Sequence, residues 1–65
     1  MNNLKKFRKE QDMTLEELAK RTNISIGYLC HLERGTRLNP SVDVMEKISK
    51  ALNKTIAEIF FPNDK

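Results

Sequence analysis

Cys30 and His31 are the only cysteine and the only histidine in the sequence, and they stand side by side. A structural zinc site needs four ligands of this kind, so no metal centre is expected from the pair. Nucleophilic catalysis is equally short of parts. No Ser-His-Asp set stands out, no two carboxylates are spaced as if to share a cleft, and two glycines cannot build a phosphate-cradling loop. A single cysteine closes no intramolecular disulfide, and Cys30 is read as a small packing residue rather than a redox switch. Neither an enzyme nor a cofactor is expected. What remains is recognition by shape and charge. The net charge is +3, and residues 1–40 carry eight Lys or Arg against five Asp or Glu, while residues 41–65 carry four against four. The whole excess therefore lies in the first part of the chain. It gains meaning only if a polyanion-binding motif lies beside it.

The stretch whose spacing is informative is T-L-E-E-L-A-K-R-T-N-I-S-I-G-Y-L-C-H-L-E-R-G, residues 14–35. Thr14 followed three residues later by Glu17 is a reciprocal capping box, which satisfies two orphan backbone donors and opens a helix; Met13 before it can staple onto Leu18. Leu15, Leu18 and Ala19 give an inward face. Asn23 tolerates the left-handed backbone that a sharp turn needs, and Ile24 plugs that turn. Ser25 can cap the next helix, with Leu29 and Leu32 as core residues and Gly35 as its C-terminal stop. Two short helices joined by about three residues, with the small Ala19 allowing close approach, make a helix-turn-helix. This arrangement leaves the outer face of the second helix free to enter a major groove about 12 Å wide.

The rest of the chain supplies support. Leu4 and Phe7 share one face of a helix over about residues 2–11, with Lys5, Lys6 and Lys9 elsewhere, either as a solvated face or to steer DNA. Pro40 and Ser41 introduce a helix over 41–52 with Val44 or Met45, Ile48, Ala51 and Leu52 inward, ended by Asn53. Thr55 and Glu58 repeat the capping box and open a helix over 55–60, which Pro62 blocks. With helices also over 14–21 and 25–33, the reading is all-α, five helices in one domain, residues 1–65. A chain this short buries only about 60% of its unfolded surface, so the core holds by packing alone or leans on a partner. No apolar run approaches the roughly 20 residues of a membrane span and no secretory leader is visible, so a cytoplasmic protein without membrane contact is expected.

On Leu18-Ala19, the spacing from there to Ile24 and Leu29, Leu32-Glu33-Arg34-Gly35 and Asn39-Pro40-Ser41, the chain resembles the Cro and phage-repressor type helix-turn-helix family. This family is also called the xenobiotic-response-element type, and the resemblance covers about residues 3–60. It implies a compact five-helix, lambda-repressor-like DNA-binding domain with the helix-turn-helix at helices 2 and 3. By this resemblance Ile26, Gly27 and His31 face base edges, with Ser25 and Tyr28 beside them at the backbone. Thr14, Arg37 and the Asn39 amide match phosphate-gripping positions, Arg34 is a further one, and Arg8 pairs with Glu33. Two departures stand out. Leu15 replaces the phosphate-binding Gln of many members, so that contact is lost or passes to the Thr14 backbone. Ile26 and Gly27 cannot make bidentate hydrogen bonds to bases, so readout leans on thymine methyls, His31, Tyr28 and DNA shape.

The implied function is a sequence-specific transcriptional regulator, a repressor, binding a near-palindromic operator of double-stranded DNA as a homodimer. Its two third helices would lie about 34 Å apart. Alternatives stay open at several residues. His31 is either a base reader or a solvated residue, and Tyr28 either a phosphate contact or a core edge. Ile56, Ile59, Phe60 and Phe61 either close the core or form a dimer interface; adjacent Phe60 and Phe61 point about 100° apart on a helix, so one of them should be exposed. The competing function is an antitoxin or adaptor that grips a protein partner through the same fold, favoured by the low polarity of Ile26, Gly27 and Cys30.

Overall fold

A computed structural model describes residues 2–35 and 39–61, and every structural statement below concerns those residues. They form α1 (Leu4–Glu10), α2 (Leu15–Thr22), α3 (Ile26–Arg34), α4 (Val42–Leu52) and α5 (Ile56–Phe60), with no strand. The expected helices are all present and their ends move by one or two residues for a physical reason. Thr14, Ser25, Ser41 and Thr55 have extended backbones and act as N-caps outside their helices, each hydroxyl accepting from the backbone N–H three residues on. Both expected capping boxes close. The Thr55 N–H donates to Glu58 Oε1 at 2.9 Å, and this hydrogen bond holds the exposed Glu58 carboxyl below its ordinary range. Asn23 and Asn53 are left-handed at φ 60° and 56°, and Gly35 at φ 72°, so each stops its helix as the sequence suggests. Asp12, at φ 53°, ends the α1 region by the same means and carried no such expectation.

Leu4, Leu18, Leu29, Ile48, Leu52 and Ile59 are fully buried, one or two from each helix, and Met13 and Leu32 join them. Phe7, Leu15, Ala19, Ile24, Tyr28, Val44, Ala51 and Phe60 pack around this cluster, which settles Val44 over Met45 as the inward residue of α4. α2 rests against α3 and α4, while α1 rests against α3 and α5. One correction concerns the C-terminal cluster. Ile59 has no exposed surface, because three residues after Ile56 on α5 it turns inward onto the core, so it cannot belong to an interface. Phe60 is half-buried and Phe61 is 55% exposed, so one of the two is exposed as expected, though Phe61 is the C-cap of α5 with a non-helical backbone rather than a helix position.

Polar side chains from the start of the chain close the helix ends. Asn2 Nδ2 donates to the Leu32 carbonyl at 2.8 Å, Asn3 Nδ2 to the Glu58 carbonyl at 3.2 Å, and Gln11 Nε2 to the Leu52 carbonyl at 2.7 Å. Carbonyls near helix C-termini lack intrahelical partners, and these amides supply them for α3, α5 and α4. Phe7 is further covered by the Lys54 ammonium, 4.9 Å from its ring centroid.

Arg8 and Glu33 are the one ion pair taken out of water, with side chains 9% and 8% exposed. Arg8 Nε donates to Glu33 Oε2 at 2.6 Å and Nη2 to Oε1 at 3.3 Å, a two-pronged contact, while Nη1 donates to the Met13 carbonyl at 2.7 Å. Removing one partner of a buried pair strands the other charge, at about 3–5 kcal/mol. A chain of this size holds only about 3–10 kcal/mol in total. Arg8→Ala is therefore expected to lose most of its cooperative unfolding transition in urea. The paired replacement Arg8→Met with Glu33→Leu should recover much of it, and an Arg8→Ala midpoint equal to wild type would contradict this placement.

Candidate nucleic-acid interface

The α2–α3 connection is fixed by three local devices. Asn23 reverses the chain with its N–H on the Ala19 carbonyl, and half-buried Ile24 fills the turn. Thr22, only 3% exposed, donates its hydroxyl to the Leu18 carbonyl at 2.7 Å and accepts from the Ile24 N–H at 3.3 Å. Nothing in the sequence marks Thr22 for this part. Its role has no periodic signature, since a hydroxyl that both donates back and accepts forward is not visible until the turn is folded.

α3 is then held along its inner face and at its C-terminal end. Leu29 and Leu32 are buried, Asn2 takes the Leu32 carbonyl and Arg8 takes the Glu33 carboxylate, both from the α1 side. The opposite face is open. Ser25, Ile26, Gly27, His31 and Arg34 are all exposed, and Gly27, His31 and Arg34 recur at intervals of four and three, so they share one stripe. Ile26, at 44%, is one of three large apolar residues left in solvent, with Val42 and Phe61. Tyr28 is half-buried against the core cluster, which places its ring at the core edge. Cys30, two residues on, is half-buried and is a free thiol.

The phosphate-side residues divide. Asn39 is exposed just before α4, and Arg37 lies outside the described residues. Thr14 is exposed, but its N–H donates to Glu17 Oε1 at 3.2 Å, and Glu16 and Glu17 both stand in the first turn of α2. The backbone donor that could have replaced the missing Gln contact is thus already taken by a carboxylate, which leaves only the Thr14 hydroxyl proton to offer. Lys5, Lys6 and Lys9 project from α1 into solvent. Among the described residues no three His, Cys, Asp or Glu are grouped to hold a metal ion, and no helix is long and apolar enough to cross a membrane.

Residues 4–59 match the Helix-turn-helix family. The chain is 36% identical over 53 residues to the HTH-type transcriptional regulator SinR of Bacillus subtilis (strain 168), covering 82% of this chain and 48% of the relative. It is 38% identical over 56 residues to the immunity repressor protein of Bacillus phage phi105, covering 86% of this chain and 38% of the relative. The crystal structure of the clp gene regulator ClgR from Corynebacterium glutamicum superposes with a TM-score of 0.76 at 39% identity, over 83% of this chain and 56% of that one. The chain belongs to the helix-turn-helix family of the Cro and phage-repressor type, whose members are DNA-binding transcriptional regulators and not enzymes. It spans about half the length of the SinR relatives that it matches.

Because Ile26 is exposed and outside the core cluster, its side chain should be removable without loss of fold. Ile26→Ala is expected within about 0.5 kcal/mol of wild type in urea denaturation, the usual range for surface positions. Leu29→Ala, two residues before His31 but inward, should cost about 2–5 kcal/mol.

Proposed function

We propose that this chain is a sequence-specific double-stranded DNA-binding domain of a transcriptional regulator, a repressor, acting in the cytoplasm with α3 in the major groove. The observation that carries this reading is the asymmetry of α3, pinned on its inner face and C-terminal end while Ser25, Ile26, Gly27, His31 and Arg34 are all exposed. Ile26, Gly27 and His31 reach base edges, and Ser25 lies at the backbone margin, with the Tyr28 ring at the core edge beside it. Arg34, Arg37 and Asn39 grip phosphates, with Thr14 adding its hydroxyl. An exposed Ile26 suits the C5-methyl of thymine, which is the apolar feature of the major groove.

The active unit in this reading is a homodimer. Phe61, with the half-buried Ile56 and Phe60, supplies an apolar end that a second copy would cover, and the operator is then a near-palindrome with half-sites about 34 Å apart. In this reading residues 1–65 belong to one domain.

Selection of bound sites from random duplexes tests these statements together. Near-palindromic sites with one helical turn between half-site centres are expected, and the absence of any salt-dependent duplex binding would end the reading. On the selected operator, Arg37→Ala should weaken binding to all sequences alike and lower the slope of log K against log salt by about 1, whereas His31→Ala should change the preference between sequences.

A further inference from the structure

Gly27 is an expensive residue for its place. It lies in the first turn of α3, its backbone is ordinary helix with no positive φ, and, beyond its chain neighbours and its own helix backbone, a β-carbon built on it would meet no atom of the described residues within 4 Å. Neither of the usual internal reasons for glycine therefore applies, since there is no left-handed conformation to permit and no neighbour to avoid. His31, one turn later on the same face, does not occupy the space either, although a helical side chain leans toward the N-terminus over that position. Alanine would hold the same backbone and favour the helix, so the fold alone would gain from it. The adjacent residue is equally unexplained from within, because Ile26 exposes 44% of its surface at the same helix end.

An exposed isoleucine beside a glycine with free space around it makes a low apolar ledge at the leading end of α3. We infer that Gly27 is a specificity-determining residue that acts by absence: the missing β-carbon lets a base edge of the duplex approach the α3 backbone closely, and so seats Ile26 at its full depth. The inference rests on the DNA-binding reading above. It adds that the duplex fills the volume left open at Gly27, so that a methyl group there would hold α3 away from the bases while leaving phosphate contacts largely intact.

The test is Gly27→Ala, with Gly27→Ser as a second variant, measured by thermal melting and by titration of two duplexes, the selected operator and an unrelated sequence at low salt. Gly27→Ala should melt about 2–5 °C above wild type, as expected of a helix-favouring change in a domain of this size. Its operator affinity should fall at least fivefold, while binding to the unrelated duplex changes by less than twofold. An operator loss below fivefold, or a loss no larger than that on the unrelated duplex, would overturn the clearance. A lower melting temperature would do so as well, because glycine would then serve the fold. A wild-type chain that binds neither duplex overturns the DNA-binding reading and the clearance with it, whereas a wild type that binds beside an unaltered variant overturns the clearance alone.

Discussion

The Arg8 guanidinium is the point on which the geometry of α3 depends. One prong reaches the carbonyl of Met13, immediately before the N-cap of α2, and two reach the carboxylate of Glu33 near the end of α3. A single side chain on α1 therefore fixes the start of one helix of the helix-turn-helix and the finish of the other. A lysine could not do this, since one ammonium point charge lacks the planar fork that serves three acceptors in two directions. The pair adds little to net stability, because apolar groups of similar volume can replace a buried ion pair at little cost. What such groups would not reproduce is the directional hold on Glu33.

The consequence is an α3 with two unlike sides. Its inner side carries Leu29 and Leu32 into a core to which every helix contributes, and its outer residues Ser25, Ile26, Gly27, His31 and Arg34 are exposed. The costs of this arrangement are visible as local exceptions to the folding rules. Ile26 is left in water and Gly27 weakens the helix it begins, and both fall on the open face rather than among the residues that hold it. Sites that break local rules without an internal gain are where a partner is expected. Phe61 and Val42 are further exposed apolar residues, just past the end of α5 and at the start of α4.

The parts legible in the sequence were those encoded within four residues. The capping boxes at Thr14 and Thr55, the left-handed Asn23 and Asn53, and the stop at Gly35 all fall where their local chemistry puts them. The Arg8–Glu33 pair spans 25 residues and was reachable only through the family resemblance. The amides of Asn2, Asn3 and Gln11 act over 30, 55 and 41 residues, and nothing in periodicity or composition marks them. Ile59 shows the limit of a short helix: in five residues the apolar pattern of Ile56, Ile59 and Phe60 has too few turns to reveal which of them faces inward. At Thr14 the capping box was legible, and with it the cost to DNA binding, because the reciprocal Glu17 contact that builds the helix start also uses the donor a phosphate would need.

The most direct measurement of the central claim, that the open face of α3 is the binding surface of the molecule, is an amide and side-chain NMR titration with a short duplex at low salt. The account predicts shifts concentrated on residues 25–28, His31 and Arg34, with a second group at Arg37 and Asn39, while α5 and the core amides of Leu18 and Ile48 stay unmoved. Shifts confined to Val42, Phe60 and Phe61, with α3 silent, would contradict it.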